Sequence, residues 1–257
     1  MDVDWRTTLV GFVAALVVLG LLVGLVGVGR VLDALSRAEP TVLAGVLAIA
    51  VVWMISWGLS LRTVLGVLGS AISAPVAVLV FTAATFANNV TPFGQAGGEP
   101  VTALFISRAA DTEYETGLAA IASVDSLNFV PSILLALVGI GYFSATVAFG
   151  RRLQYAAVAV AVLAVAIPAA GIYAWRNRYR VEAGVVRLLT PVIRWLGRAL
   201  PRRSPPDVHV IEARIEGFFH AIERVTGDRR GLVTALGFST LGWLCLAGSL
   251  WLSLYSL

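Results

Sequence analysis

Lysine is absent from this 257-residue chain, and all 19 basic residues are arginine. GC-rich codon usage accounts for that, and no function is built on it. Cysteine is nearly absent. The single Cys245 excludes an intramolecular disulfide and leaves no pattern for redox or zinc chemistry. Two histidines, His209 and His220, are too few for a metal site, so no metal and no cofactor is expected. Charge is scarce as well. Only 13% of residues are charged, against about one quarter in soluble domains, which excludes an ordinary soluble globule. There is no soluble catalytic domain and no nucleophile–base pair, so an enzyme is not expected. The first apolar run is expected to be a retained membrane helix and not a cleaved leader. The first apolar run, 8–29, lacks a basic leader and a small-residue cleavage site, and it is longer than a signal-peptide core of about 7–15 residues.

What the chain has is apolar length. Hydrophobic residues make up 58% of it, and its mean hydropathy is +0.87. Several uncharged runs reach the roughly 18–20 residues that cross a bilayer. The expected fold is all-α: a polytopic membrane helix bundle with about 5–7 spans. The apolar stretches are 8–29, 41–61, 75–107, 116–149, 153–175 and 231–257. The organisation expected is a membrane bundle over 1–175, a basic segment over 176–230 and a last membrane helix over 231–257.

The 176–230 segment holds 12 of the 19 arginines against 6 acids, while the rest of the chain holds 7 arginines and 9 acids. The positive-inside rule puts this segment and the N-terminus in the cytoplasm of a multi-pass cell-membrane protein. Arg151 and Arg152 then fall outside, a mild violation. Within the segment, Ile211, Ile215, Phe218, Ile222 and Val225 form a helical stripe, and Asp207 suits its N-cap. Arg187, Arg194 and Arg198 share one face of a second amphipathic part, which either lies in the membrane interface or packs on the bundle as a positive-inside loop. Nucleic acid is not an expected partner, because the arginines hug membrane spans and no recognition module is present. Gly20 and Gly24 allow a homodimer seam or close packing within one bundle. Trp53 and Trp57 read as interfacial anchors.

One polar stretch breaks the pattern. In "NNVTPFGQAGGEP", residues 88–100, Asn88, Asn89, Gln95 and Glu99 interrupt an apolar run, with Gly94, Gly97, Gly98, Pro92 and Pro100 among them. Backbone that leaves a helix at membrane depth must be buried in protein or line a wet cavity. Pro92 disfavours helix at Thr91, and the glycines permit positive φ. Pro100 suits the first turn of a new helix, with Glu99 just ahead of it at the positive dipole end. The shape predicted is a re-entrant hairpin over 75–107. Two full spans would need more chain: 75–90 is 16 residues, and 101–107 is seven before Arg108. Asp125, Asn128 and Ser132 share one face of the next helix, which Thr112 and Glu115 cap near Glu113. An acid inside a membrane helix usually faces the bundle interior, so Asn88, Asn89, Gln95 and Glu99 are its candidate neighbours. A purely structural role for Asp125 is the other reading. Pro131 is expected to separate a half-helix from a full crossing.

This pattern resembles the lysylphosphatidylglycerol synthase transmembrane (flippase-domain) family, with the character of an archaeal-type member. Asn89, Pro92, Gly97, Gly98 and Glu99 match its first motif, followed by an apolar helix and Arg108, and "ASVDSLNFVP" sits at its second. The resemblance implies a helical fold with re-entrant elements and movement of a lipid between leaflets. The lipid would be an anionic phospholipid or a polyprenyl-phosphate-linked lipid, bound by Asn88, Asn89, Pro92, Gln95, Gly97, Gly98, Glu99, Arg108, Asp125 and Asn128. The alternative is a non-catalytic anchor or accessory domain for a lipid-modifying aminoacyl- or glycosyl-transferase, which would then be a partner. The chain departs from the family at Thr102 and Ser126, where the family often has arginine. A later Pro-Gly-Gly motif would fall beyond Leu257, so a fragment or a short member is expected.

Overall fold

The computed structural model describes residues 39–91, 94–146, 151–177 and 208–255, with isolated residues between 20 and 32 and between 179 and 191. Seven long helices are bounded there: α1 Pro40–Val67, α2 Ala74–Val90, α3 Gln95–Ala109, α4 Tyr114–Thr146, α5 Arg151–Arg176, α6 Val208–Gly227 and α7 Arg229–Tyr255. Among the described residues four stretches are long and apolar enough to cross a membrane: Pro40–Val67, Tyr114–Tyr142, Gln154–Ala174 and Arg229–Leu254. The chain is a polytopic helical membrane protein. Most of the first expected span, 8–29, lies outside the described residues, as do Asp207, Arg194 and Arg198.

The antiparallel pair α1 and α7 forms the spine of the bundle. Small residues let the two come close. Gly242 packs against the Trp57 ring, and Gly45 lies where a Cβ would stand 3.1 Å from Leu252. Hydroxyls stitch the pair: Ser60 donates to the Ala235 carbonyl at 3.1 Å. α1 begins at Pro40, whose missing N–H would be unpaired there anyway. It ends in a Schellman turn, with Gly69 at φ 82. The Ser70 N–H reaches the Leu65 carbonyl at 2.9 Å, and the Gly69 N–H reaches that of Gly66 at 3.1 Å.

That turn aims the chain into α2 and α3. These helices have 17 and 15 residues, or about 25 and 22 Å at 1.5 Å per residue, each short of a bilayer core of about 30 Å. Both ends of the pair lie together, because the Ser70 hydroxyl donates to that of Thr112 at 3.1 Å. Arg62 Nε closes the same corner through the Ile72 carbonyl at 3.1 Å. The polar stretch is therefore the tip of a hairpin that returns to the side it began on.

Its detail differs from the sequence-based expectation. Gly94 alone takes the positive φ (57, with ψ −129), and α3 starts at Gln95. Gly97 and Gly98 are helical, and their N–H groups both point at the Gly94 carbonyl, at 3.1 and 2.9 Å. Pro100 lies inside the helix. As the sixth helical residue it removes the N–H that would meet the Ala96 carbonyl, and the helix nevertheless starts five residues before it. Glu99 is accordingly inside α3 and not ahead of it. Gly98 serves closeness: a Cβ there would lie 2.7 Å from the Asn88 N and 2.8 Å from its Cα.

α4 is also corrected. It runs through Pro131 as one helix of 33 residues, not as two pieces. The proline removes the N–H that would meet the Leu127 carbonyl. Support comes from outside the ladder, where Trp243 Nε1 donates to the adjoining Asn128 carbonyl at 2.9 Å. The helix starts at Tyr114, and the Thr112 hydroxyl is engaged by Ser70 instead of forming the expected capping box. Gly117 brings α3 and α4 together, since a Cβ would stand 2.6 Å from the Ala103 carbonyl oxygen.

The expected stripe on α6 is present. Ile211, Ile215 and Val225 are buried, and Phe218 and Ile222 pack on the core. α6 lies along α4, held by Arg214 to Glu115 at 3.0 Å. The core fills one end of the bundle, around Leu61, Val64, Leu65, Phe81, Ile106 and Val124. We expect Gly98→Ala to lower stability by about 1–3 kcal/mol, the usual cost of overpacking a full site. Gly66 has nothing within 4 Å of a Cβ, so Gly66→Ala should be neutral or better. Thermal unfolding in detergent compares the two, and equal midpoints would refute the close α2–α3 packing.

Candidate functional site

Above the core, five helices leave a cavity of about 330 Å3. α1 supplies Trp57, α7 supplies Trp243, and α2 supplies Phe81, Ala84, Thr85, Asn88 and Asn89. α3 contributes Gln95, and α4 contributes Ile121, Asp125, Asn128, Phe129 and Ser132. Two larger hollows, about 580 and 540 Å3, lie against α6, away from the hairpin tip.

Depth follows from helix rise. Trp57 is ten residues from the end of α1, and Asp125 is eleven from the start of α4. Trp243 is fourteen from the start of α7. At 1.5 Å per residue these groups sit about 15–20 Å from one end of the bundle, a distance of about half a bilayer core of about 30 Å. The sequence-based span 41–61 stopped too early and made Trp57 an interfacial anchor. With α1 continuing to Val67, Trp57 is a cavity wall.

One side of the cavity is aromatic and rigid. The Trp57 ring meets Phe81 edge-on at 5.8 Å and Trp243 at 5.9 Å. Trp57 Nε1 donates to the Ser239 carbonyl at 3.2 Å. The Ser239 hydroxyl donates to Asn128 Oδ1 at 2.5 Å. Asn128 thus bridges α4 to α7 through both its side chain and its carbonyl. The other side is polar and acidic. Gln95 and Glu99 of α3 adjoin the carboxyl of Asp125. Asp125 Oδ2 and Asn88 Oδ1 are buried acceptors with no donor. Among the described lining residues there is no arginine or histidine.

So Asn88, Asn89, Gln95, Asp125 and Asn128 converge as expected, with Glu99 beside them. Asn89 spends its amide on the Thr85 carbonyl of its own helix, at 2.8 Å. Gly97 and Gly98 shape the hairpin rather than lining the cavity. Pro92 lies outside the described residues. Arg108 is exposed on the last turn of α3, thirteen residues from Gln95 and so about 20 Å away. Thr102 is fully buried, which leaves no room for the arginine often found there in the resembling family. Trp57, Phe81, Trp243 and Ser239 were not anticipated. The usable signal was Ser239 and Trp243 four apart in α7, one face of a helix.

A family model described as "Lysylphosphatidylglycerol synthase TM region" matches residues 8–257. The chain belongs to the lysylphosphatidylglycerol synthase transmembrane-region family. A "UPF0104 membrane protein" of Methanothermobacter thermautotrophicus is 33% identical over 132 residues, covering 51% of this chain and 37% of that protein. The match therefore spans little more than a third of that relative's length. No solved structure matches the chain.

For this family member, Ser239→Ala removes the donor that Asn128 Oδ1 depends on. Leaving such a buried acceptor unpaired costs about 1–3 kcal/mol. Thermal unfolding in detergent reads the loss; no change would mean that the Asn128 bridge is not holding α4 to α7.

Proposed function

We propose that this protein moves a lipid between membrane leaflets by lodging the lipid's headgroup in the cavity at the hairpin tip. The observation that carries this is a polar cavity at mid-membrane depth, walled by a hairpin too short to cross, with two buried acceptors awaiting donors. Irregular backbone and broken helices at such depth are a transporter device.

The chemistry of the lining narrows what enters. The cavity holds carboxyls and amides but no cation among the described lining residues, so hydroxyl or ammonium groups of the headgroup fit it and a phosphate does not. The phosphate of an anionic phospholipid or a polyprenyl-phosphate-linked lipid is bonded to the group lodged inside and so stays at the cavity rim; exposed Arg108, about 20 Å off, meets it only where the lipid enters. Phe86 and Phe129 are 62% and 52% exposed and offer the tails an apolar flank. Motion, not covalent change, is the work. The arginine-rich end, with the base of the hairpin, faces the cytoplasm under the positive-inside rule.

Two measurements test this reading. Single cysteines at Ser70 and Asp111, in a Cys245→Ala background, should both react with an impermeant maleimide from the cytoplasmic side. Labelling from opposite sides would overturn the re-entrant topology. In vesicles of phosphatidylcholine and phosphatidylglycerol, the wild type should speed leaflet exchange of labelled phosphatidylglycerol. Hydrogen bonds to charged groups contribute about 1.5–3 kcal/mol, so the Glu99→Gln, Asp125→Asn double variant should slow exchange by about tenfold or more. Equal rates would sink the proposal.

A further inference from the structure

The hydrogen bonds around the cavity run in one direction, away from it. Trp57 Nε1 and Trp243 Nε1, the two indole donors of its wall, end on the carbonyls of Ser239 at 3.2 Å and Asn128 at 2.9 Å. The Thr85 hydroxyl donates to the Phe81 carbonyl at 3.0 Å, and that of Ser132 to the Phe129 carbonyl at 2.9 Å. Asn89 Nδ2 donates to the Thr85 carbonyl at 2.8 Å. What the indoles and hydroxyls can still offer is ring face and oxygen lone pair. Asn88 Oδ1 and Asp125 Oδ2, in the same lining, are buried acceptors with no donor. Gly98 keeps the space in front of Asn88 Oδ1 open, since a Cβ there would overlap that oxygen.

The backbone adds to this bias. α2 ends at Val90, with Asn88 and Asn89 in its last turn and no basic residue there. A helix C-terminus carries about half a negative charge. Helix C-terminal ends and freed carbonyls at membrane depth are where transporters hold sodium. Among the described lining residues there is no cation and one carboxylate, that of Asp125. One carboxylate balances one positive charge. Calcium takes roughly six to eight oxygens, and magnesium demands a near-ideal octahedron and keeps several waters.

We propose that the cavity binds one monovalent metal cation, sodium, at Asp125 Oδ2 and Asn88 Oδ1, with lone pairs of Thr85 and Ser132 to add. An all-oxygen site needs neither histidine nor cysteine, so counting those residues gave no sign of it. The site goes beyond the lipid-transfer reading and does not depend on it.

Binding of radioactive sodium to the purified full chain in detergent tests this without any lipid movement. The wild type should bind saturably, one ion per chain, with unlabelled sodium chloride competing and N-methyl-D-glucamine chloride not competing. Asp125→Asn should abolish binding. Asn88→Ala should weaken it about tenfold, the scale of one lost polar contact to a charge. Ser126→Ala, which alters a wall of a different hollow, should bind as the wild type does. Circular dichroism reports that each variant is folded. No saturable binding by the wild type, undiminished binding by Asp125→Asn, or displacement by micromolar calcium chloride would overturn the sodium site. Sodium binding with no lipid exchange would support the site and count against the transfer reading alone.

Discussion

Hydrocarbon offers no hydrogen bonds, so backbone that leaves the helical ladder inside a bilayer must find its partners in protein. Most of this structure is arranged around that constraint. The hairpin tip at mid-depth meets it locally. The Gly94 N–H returns to the Thr91 carbonyl at 3.0 Å, and the Thr91 hydroxyl donates to the Gly94 carbonyl at 2.7 Å. The weakened ladder at Pro131 meets it from a neighbour, through the Trp243 indole. Glycines at the helix crossings are part of the same solution, since backbones must approach closely for such bonds to reach.

The bundle consequently divides along its length. One end is dry and dense, with Leu61, Leu65 and Ile106 fully buried. The middle is polar and incompletely satisfied. α4 belongs to both regions. Its first turns pack Ala119, Ala120 and Val124 into the core, and one residue later Asp125 faces the cavity. α6 grips the outer side of the same helix through Glu115.

Much of this was legible from composition and spacing. Apolar run lengths announced a membrane bundle, and arginine counting asked for a segment that returns to its own side. The 0, 3, 7 spacing of Asp125, Asn128 and Ser132 put them on one face, which is the face that lines the cavity. The misreadings have a common physical cause. Gly97, Gly98 and Pro100 look like helix breakers one residue at a time, yet the first helical turn tolerates the two glycines, close packing on Asn88 requires Gly98, and Pro100 is carried inside the helix. Pro131 looked like a boundary because the indole that supports its turn comes from a residue 112 positions away. Trp57 looked interfacial because α1 continues past Arg62, whose guanidinium turns to the Ile72 carbonyl. Long-range partners of this kind leave no local pattern to read.

The bonded base of the hairpin has a mechanical meaning. Ser70 to Thr112, Arg62 to Ile72, and Arg224 to the Leu68 carbonyl at 3.5 Å all pin the same corner. With that corner held, the tip cannot slide in or out; α2 and α3 act as a dipstick whose reach is set by residue number alone. One added helical turn in each arm would lower the tip by about 5.4 Å, past Asp125 and towards the far leaflet. The length of two short helices is therefore the gauge that holds the polar tip level with the acid on α4.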